Sequence, residues 1–140
     1  MEFTARNSCT ILPEDERSKG LKFVKMATRV EVFRRVGLAK DYIIGHHDKK
    51  IKLQDVALSC CLSVNHLLRN FKQVYGVSPH KYLMLVRLQR AKLLLETTTY
   101  SVNEISMLVG FECTSSFIRL FKQYFHYTPI AFKKQMVPLI

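Results

Sequence analysis

The 140-residue chain carries one pattern twice, and this duplication restricts its fold more than any other feature. Leu53, Asp55, Val56 and Leu62 correspond to Val102, Glu104, Ile105 and Phe111 at a constant offset of 49. After the next few residues the offset becomes 50, pairing Leu67, Arg69, Phe71, Lys72, Gln73, Tyr75 and Pro79 with Phe117, Arg119, Phe121, Lys122, Gln123, Phe125 and Pro129. The tripeptide Phe71-Lys72-Gln73 returns intact as Phe121-Lys122-Gln123. Chance likeness between two amphipathic helices preserves apolar spacing, but not a cap, a turn, an Arg, a Lys and a closing Pro in one order. A short helix, a tight turn and a second helix, present twice, describe a pair of helix-turn-helix units.

The punctuation around the repeats predicts an all-α chain of about seven helices, with the two units joined by a long linker helix. Residues 1–20 lack periodicity. Leu21 to Gly45 is helix-friendly, with an interruption at Gly37, and Val36, Ala39, Tyr42 and Ile43 recur at the spacing of one buried face. Asp48 to Lys50 reads as a loop. Leu53, Val56, Ala57 and Cys60 form a short apolar stripe, and Cys61-Leu62 a turn. Ser63 caps a helix that Gly76 stops. Ser78-Pro79 starts the linker helix, whose apolar positions include Tyr82, Leu83, Val86, Leu88, Ala91, Leu94 and Leu95 before Thr97, Thr98 and Thr99 end it. Ser101-x-x-Glu104 is a capping box opening a helix with Val102, Ile105, Leu108 and Val109, closed by Gly110. Cys113-Thr114-Ser115 opens the next helix, and Thr128-Pro129 a last short one through Phe132.

The second helix of each unit can be read by angle, at about 100° per residue. Leu67, Phe71 and Val74 define the core side of one, and Asn65, Arg69 and Lys72 point away from it. Phe117, Phe121 and Tyr124 define the core side of the other, and Ser115, Arg119 and Lys122 point away. Each outer face thus holds a small polar residue near the helix start, an Arg one turn on, and then a Lys. That order suits a helix entering a major groove by its N-terminal part, with the first two reaching base edges and the Lys meeting phosphate. A plain solvated surface explains one such face about as well, but explains its repetition poorly.

Charge points the same way. The chain has 22 Lys+Arg against 11 Asp+Glu, a net +11. Residues 1–50 carry +4, and residues 51–140 carry +7 with only Asp55, Glu96, Glu104 and Glu112 as acids. A positive charge spread through core-forming sequence suggests a folded basic face for nucleic acid, ahead of anionic membrane. No apolar run approaches the roughly 18 residues of a membrane span, and Pro13 to Arg17 stand where a signal peptide needs apolar residues. A cytoplasmic, nucleoid-associated protein without membrane contact is expected. Cys9, Cys60, Cys61 and Cys113 form no C-x-x-C pair and are expected to be buried reduced thiols. His46-His47-Asp48 has no Cys or His at ligand spacing, so no metal is expected. Without a phosphate loop or a nucleophile motif, no catalytic residue, cofactor or enzyme activity is expected.

With these residues in view, the chain resembles the DNA-binding region of the AraC/XylS family of bacterial transcription regulators over roughly residues 38–134. The most specific stretches are Ala91-Lys92-Leu93-Leu94, Ser101-Val-Asn-Glu-Ile, Gly110-Phe111, Phe117-Ile-Arg-Leu-Phe-Lys and Thr128-Pro129. The resemblance implies base contacts at Asn65, Leu68 and Arg69 in the first recognition helix. In the second it implies Thr114, Ser115 and Arg119, with Ile118 touching a thymine methyl. Lys72, Lys122 and the backbone N–H of Val102 are the expected phosphate contacts. Some positions depart from the family pattern: Lys52 and Cys113 replace polar caps, while Cys61 and His126 replace glycines. The short Thr114 and Ser115 shift expected specificity toward Arg69, Arg119 and DNA shape.

The organisation expected is a tail, or a linker to an absent domain, at 1–36; a double helix-turn-helix domain at 37–136 (37–77, linker 78–96, 97–136); and a tail at 137–140. The expected function is sequence-specific binding of double-stranded DNA as a transcription regulator, an activator, reading two successive major-groove segments. Contact with RNA polymerase is the further partner this implies. The alternative is a protein-interaction module whose basic faces bind an acidic partner. The segment before the DNA-binding region is too short for a sensing core, which leaves open a stand-alone reader, expected to be monomeric, or a piece of a longer, dimeric regulator.

Overall fold

The computed structural model describes residues 21–136, with side chains for residues 28–135. Of the tail or linker expected at 1–36, residues 1–20 lie outside the described residues, as do the tail at 137–140 and Cys9, while residues 21–36 are helical. Within them the chain is all-helical: α1 (Leu21–Gly45), α2 (Leu53–Ser59), α3 (Val64–Tyr75), α4 (Pro79–Thr97), α5 (Val102–Leu108), α6 (Thr114–Phe125) and α7 (Pro129–Met136). It divides into two compact units. One contains α1 and residues 51–79; the other contains residues 46–50 and everything from His80 onward.

In the first unit α1 packs against α2 and α3, which also pack on each other. Its core is Val36, Ala39 and Ile43 of α1, Val56, Ala57 and Cys60 at α2, and Leu67 and Phe71 of α3. The predicted interruption at Gly37 is absent: α1 runs straight through it. A glycine lowers helix propensity by about 1 kcal/mol but keeps its N–H and carbonyl, so packing of the surrounding Val36–Ile43 face overrides it. Ser63 caps α3 by accepting from the His66 N–H at 3.2 Å, and Gly76 ends it at φ +79°.

The second unit repeats this scheme with α5 and α6, and uses α4 and α7 as its supports. Leu88, Ala91 and Leu95 of α4 share one core with Ile105, Val109, Phe111, Phe117, Phe121 and Phe132. The linker helix is therefore part of the second unit's core. Rings cluster on one another there: Phe121 lies 4.6 Å from Phe125 and 5.7 Å from Phe117, and Tyr127 stacks on Phe132 at 5.3 Å. Lys92 sits 5.1 Å over the Phe125 ring. Thr98 ends α4 by returning its hydroxyl to the Leu94 carbonyl at 2.7 Å.

Two apolar assignments and one helix end differ from expectation. Leu108 is 50% exposed, and Ser106 takes its place in the core at 0%. Ser106 aligns with buried Ala57 in the repeat, and its hydroxyl finds no partner, a local cost of about 1–3 kcal/mol. Tyr124 is 43% exposed because α6 is by then leaving the core, where Phe125 and Tyr127 carry the packing on; a phenol favours such a wet edge. The last helix runs past Phe132 to Met136.

The departures flagged at helix ends have structural counterparts. Lys52 provides no side-chain cap to α2. Cys61 and His126 adopt left-handed backbone, with φ of 57° and 72°, where the other repeat has Gly110 and Gly76. A side chain in that conformation costs about 1 kcal/mol. Gly110 itself is irreplaceable on steric grounds: at φ +102°, a Cβ there would meet the His47 carbonyl oxygen at 2.7 Å and Arg87 Nε at 2.8 Å. Among the cysteines, burial pushes the free Cys60 thiol up. Cys113 is free but exposed, contrary to the expectation of buried reduced thiols.

Candidate nucleic-acid interface

In each unit the second helix is anchored by two fully buried residues, Leu67 and Phe71 in α3, and Phe117 and Phe121 in α6. This anchoring turns the opposite side outward. On α3, Asn65, Leu68, Arg69 and Lys72 are all exposed. On α6, Ser115, Arg119 and Lys122 are exposed, while Thr114 and Ile118 are half-buried, Ile118 packing on the core. Neither 12-residue helix contains an Asp or Glu, so each outer face is positive without internal neutralisation. Lys72 and Lys122 also lie in the last turn of their helices, where a cation is worth about 0.3–1 kcal/mol against the helix dipole; both lysines thus have a structural role beside any phosphate contact.

Hydrogen bonding divides the polar residues at the start of α6. Thr114 donates its hydroxyl to Asn103 Oδ1 of α5 at 2.5 Å. Ser115 Oγ lies 2.9 Å from Cys113 Sγ. Both short hydroxyls are engaged inside the protein, and Arg119 is left as the extended donor of that face. Asn103 escaped the sequence reading. Its repeat counterpart is Gln54, so an amide at the second position of both leading helices was the available signal. The capping box of α5 is present, with Ser101 accepting from the Glu104 N–H at 3.1 Å and Glu104 accepting from the Ser101 N–H at 2.8 Å. The Val102 N–H is not used by that box.

Cys113, the N-cap of α6, has its thiol lowered to about 7, first by the Ser115 hydroxyl and then by the backbone N–H groups of Ser116 and Ser115. Each favours the thiolate. Alkylation of Cys113 by iodoacetamide, followed by mass spectrometry, should therefore rise through a midpoint near pH 7. An unperturbed thiol would titrate near about 8.5, and a midpoint there would contradict the hydrogen bonding described. Buried Cys60 should stay unmodified while the chain is folded.

Among the described residues no cluster of His, Cys, Asp or Glu could hold a metal ion, and no helix is long and apolar enough to cross a membrane. What the two units present is a pair of outward, carboxylate-free helices, each held by a shorter leading helix. That arrangement defines a tandem helix-turn-helix DNA-binding protein.

A helix-turn-helix domain model matches residues 56–135. The chain belongs to the AraC/XylS family of transcription regulators, and carries that family's DNA-binding domain. It is 39% identical over 89 residues to the uncharacterized HTH-type transcriptional regulator YdeC of Bacillus subtilis, covering 64% of this chain and 31% of YdeC. The chain spans about a third of the length of the curated relatives it first matches. Among solved structures, the C-terminal domain of AraT, a response regulator from Geobacillus stearothermophilus, aligns with a TM-score of 0.70 at 28% identity, covering 74% of this chain and 88% of that domain. The DNA-binding domain of AdpA, a global transcriptional factor solved in complex with a target DNA, shares the fold at a TM-score of 0.68 and 23% identity, over 71% of this chain and 90% of that one.

Proposed function

We propose that the chain binds double-stranded DNA sequence-specifically as a transcription regulator, with α3 and α6 each entering a major-groove segment and the two segments successive along the duplex. Arg69 and Arg119 read base edges, supported by Asn65 and Leu68 in one groove and by Thr114, Ser115 and Ile118 in the other. Lys72, Lys122 and the Val102 N–H hold phosphate. The observation carrying this reading is the recurrence of one exposed pattern, an Arg and a Lys three residues apart without a nearby carboxylate on the helix, at equivalent places on two similarly anchored helices. An activating role, with contact to RNA polymerase, follows the family resemblance. It sits with a cytoplasmic, nucleoid-associated protein, dimeric if a longer parent supplies the means.

A salt titration of duplex binding by fluorescence anisotropy tests the reading. Lys72→Ala and Lys122→Ala should each weaken binding to cognate and random duplex alike and lower the slope of log K against log[salt] by about 0.9. Wild-type binding without any preference among duplexes at moderate salt would instead favour an acidic protein partner.

A further inference from the structure

The loop His46–Lys50 precedes the first helix-turn-helix in sequence but belongs to the second unit. Arg87 of α4 holds it there. Arg87 is only 7% exposed, and its guanidinium donates through Nε to the His47 carbonyl at 2.7 Å and through Nη2 to the Lys49 carbonyl at 2.8 Å. It also lies 5.8 Å from the Phe111 ring. Gly110 makes room, since a Cβ there would collide with both Arg87 and the His47 carbonyl. The loop is thereby fastened against the Gly110-Phe111-Glu112 turn, and Lys50 Nζ reaches Glu112 Oε2 at 3.5 Å across it.

A buried Arg satisfied by two loop carbonyls is a costly way to fix a loop, because burial opposes its charge and lowers its pKa. What the loop presents, beside Asp48, whose charge favours the Arg87 guanidinium, is a pair of adjacent cations. Lys49 and Lys50 are both exposed, and Lys49 makes no ion pair among the described residues. Glu112, beside Lys50, is two residues from Thr114 at the start of α6, within about 7 Å along the chain. A helix reading base edges at that point sits in a groove about 12 Å wide, walled by phosphates. On that reading a lysine beside Glu112 stands near the groove wall. The Lys50–Glu112 pair is 79% and 77% exposed, so water screens it and it releases the lysine readily.

We infer that the His46–Lys50 loop is a third DNA-contacting element, in which Lys49 and Lys50 meet backbone phosphates flanking the groove entered by α6, and that Arg87 is the positioning residue that holds it there. This rests on the reading of α6 as a recognition helix. The loop then acts as a phosphate clamp beside α6.

Anisotropy salt titrations on a fixed duplex test this. The Lys49→Ala/Lys50→Ala double variant should lower the salt slope by nearly two, at about 0.9 per lost phosphate contact. Arg87→Met, with helicity checked by circular dichroism, should lower it by a similar amount and add nothing to the double variant. Glu112→Gln should tighten binding about twofold to fivefold, by removing a carboxylate from beside the phosphates. Arg29→Ala/Arg34→Ala, which removes equal charge from α1, should leave the slope unchanged. The inference is overturned if Lys122→Ala lowers the slope while the loop double variant does not, or if the α1 control lowers it as much as the loop variant. A wild-type chain without salt-dependent duplex binding would instead remove the underlying reading, and the loop's role with it.

Discussion

A Phe121→Ala variant is expected to lose about 3–5 kcal/mol of stability in the second unit, the range for truncating a buried Phe. Phe121 is fully buried and is the ring most of the others share: Phe117, Phe125, Tyr127 and Phe132 all have centroids within 6.3 Å of it. Alanine would leave a cavity bounded by flat rings on α6 and α7, which cannot collapse without pulling those helices out of register. A domain of this size has roughly 0.05–0.15 kcal/mol of stability per residue, so the loss is comparable to the whole. Urea denaturation followed by circular dichroism would show a large shift of the midpoint or a transition already under way without urea. Because α6 carries the exposed Arg119 face, specific DNA binding should fall with it. A shift equivalent to less than about 0.5 kcal/mol, the scale of an ordinary surface change, would mean that α6 is not held by this ring.

What was legible from residues alone was what local rules and repetition control. The offsets of 49 and 50 established two equivalent units, and the Ser63 cap, the Ser101–Glu104 box and Gly76 marked helix ends that the structure has. The outward positions of Asn65, Arg69, Lys72, Ser115, Arg119 and Lys122 followed from angle, because a buried Leu or Phe at fixed spacing turns the opposite side outward. The misreadings arose where tertiary packing decides. A Leu at 108 looks more like core than a Ser at 106, but the register set by Ile105 and Val109 points Ser106 inward. Gly37 looks like a break until the packing on either side is known. The clamp by Arg87 joins residues 38 and 40 positions apart, and no periodicity announces a bond from a side chain to distant carbonyls. The engagement of the Thr114 hydroxyl by Asn103 was hidden for the same reason.

That engagement sharpens what Arg119 must do. On the proposed reading, with the Thr114 and Ser115 hydroxyls bonded within the protein, the base edges in the second groove are left chiefly to the guanidinium. A fork of N–H donors matches guanine O6 and N7 in a way a single ammonium does not. Arg119→Lys should therefore separate two properties that Arg119→Ala removes together. It keeps the charge, so affinity for random duplex and the salt slope should stay close to wild type. It loses the fork, so binding to the preferred duplex should fall by about 1–3 kcal/mol, roughly fivefold to 150-fold. The preferred duplex would first be obtained by selection from a randomised pool. Repeating the selection with the variant should then relax preference at one cluster of positions, and the corresponding Arg69→Lys variant at a different cluster. If both variants relaxed the same positions, the two helices would not be reading separate grooves. If neither did, the arginines would be phosphate contacts, and specificity would have to come from the deformability of the DNA.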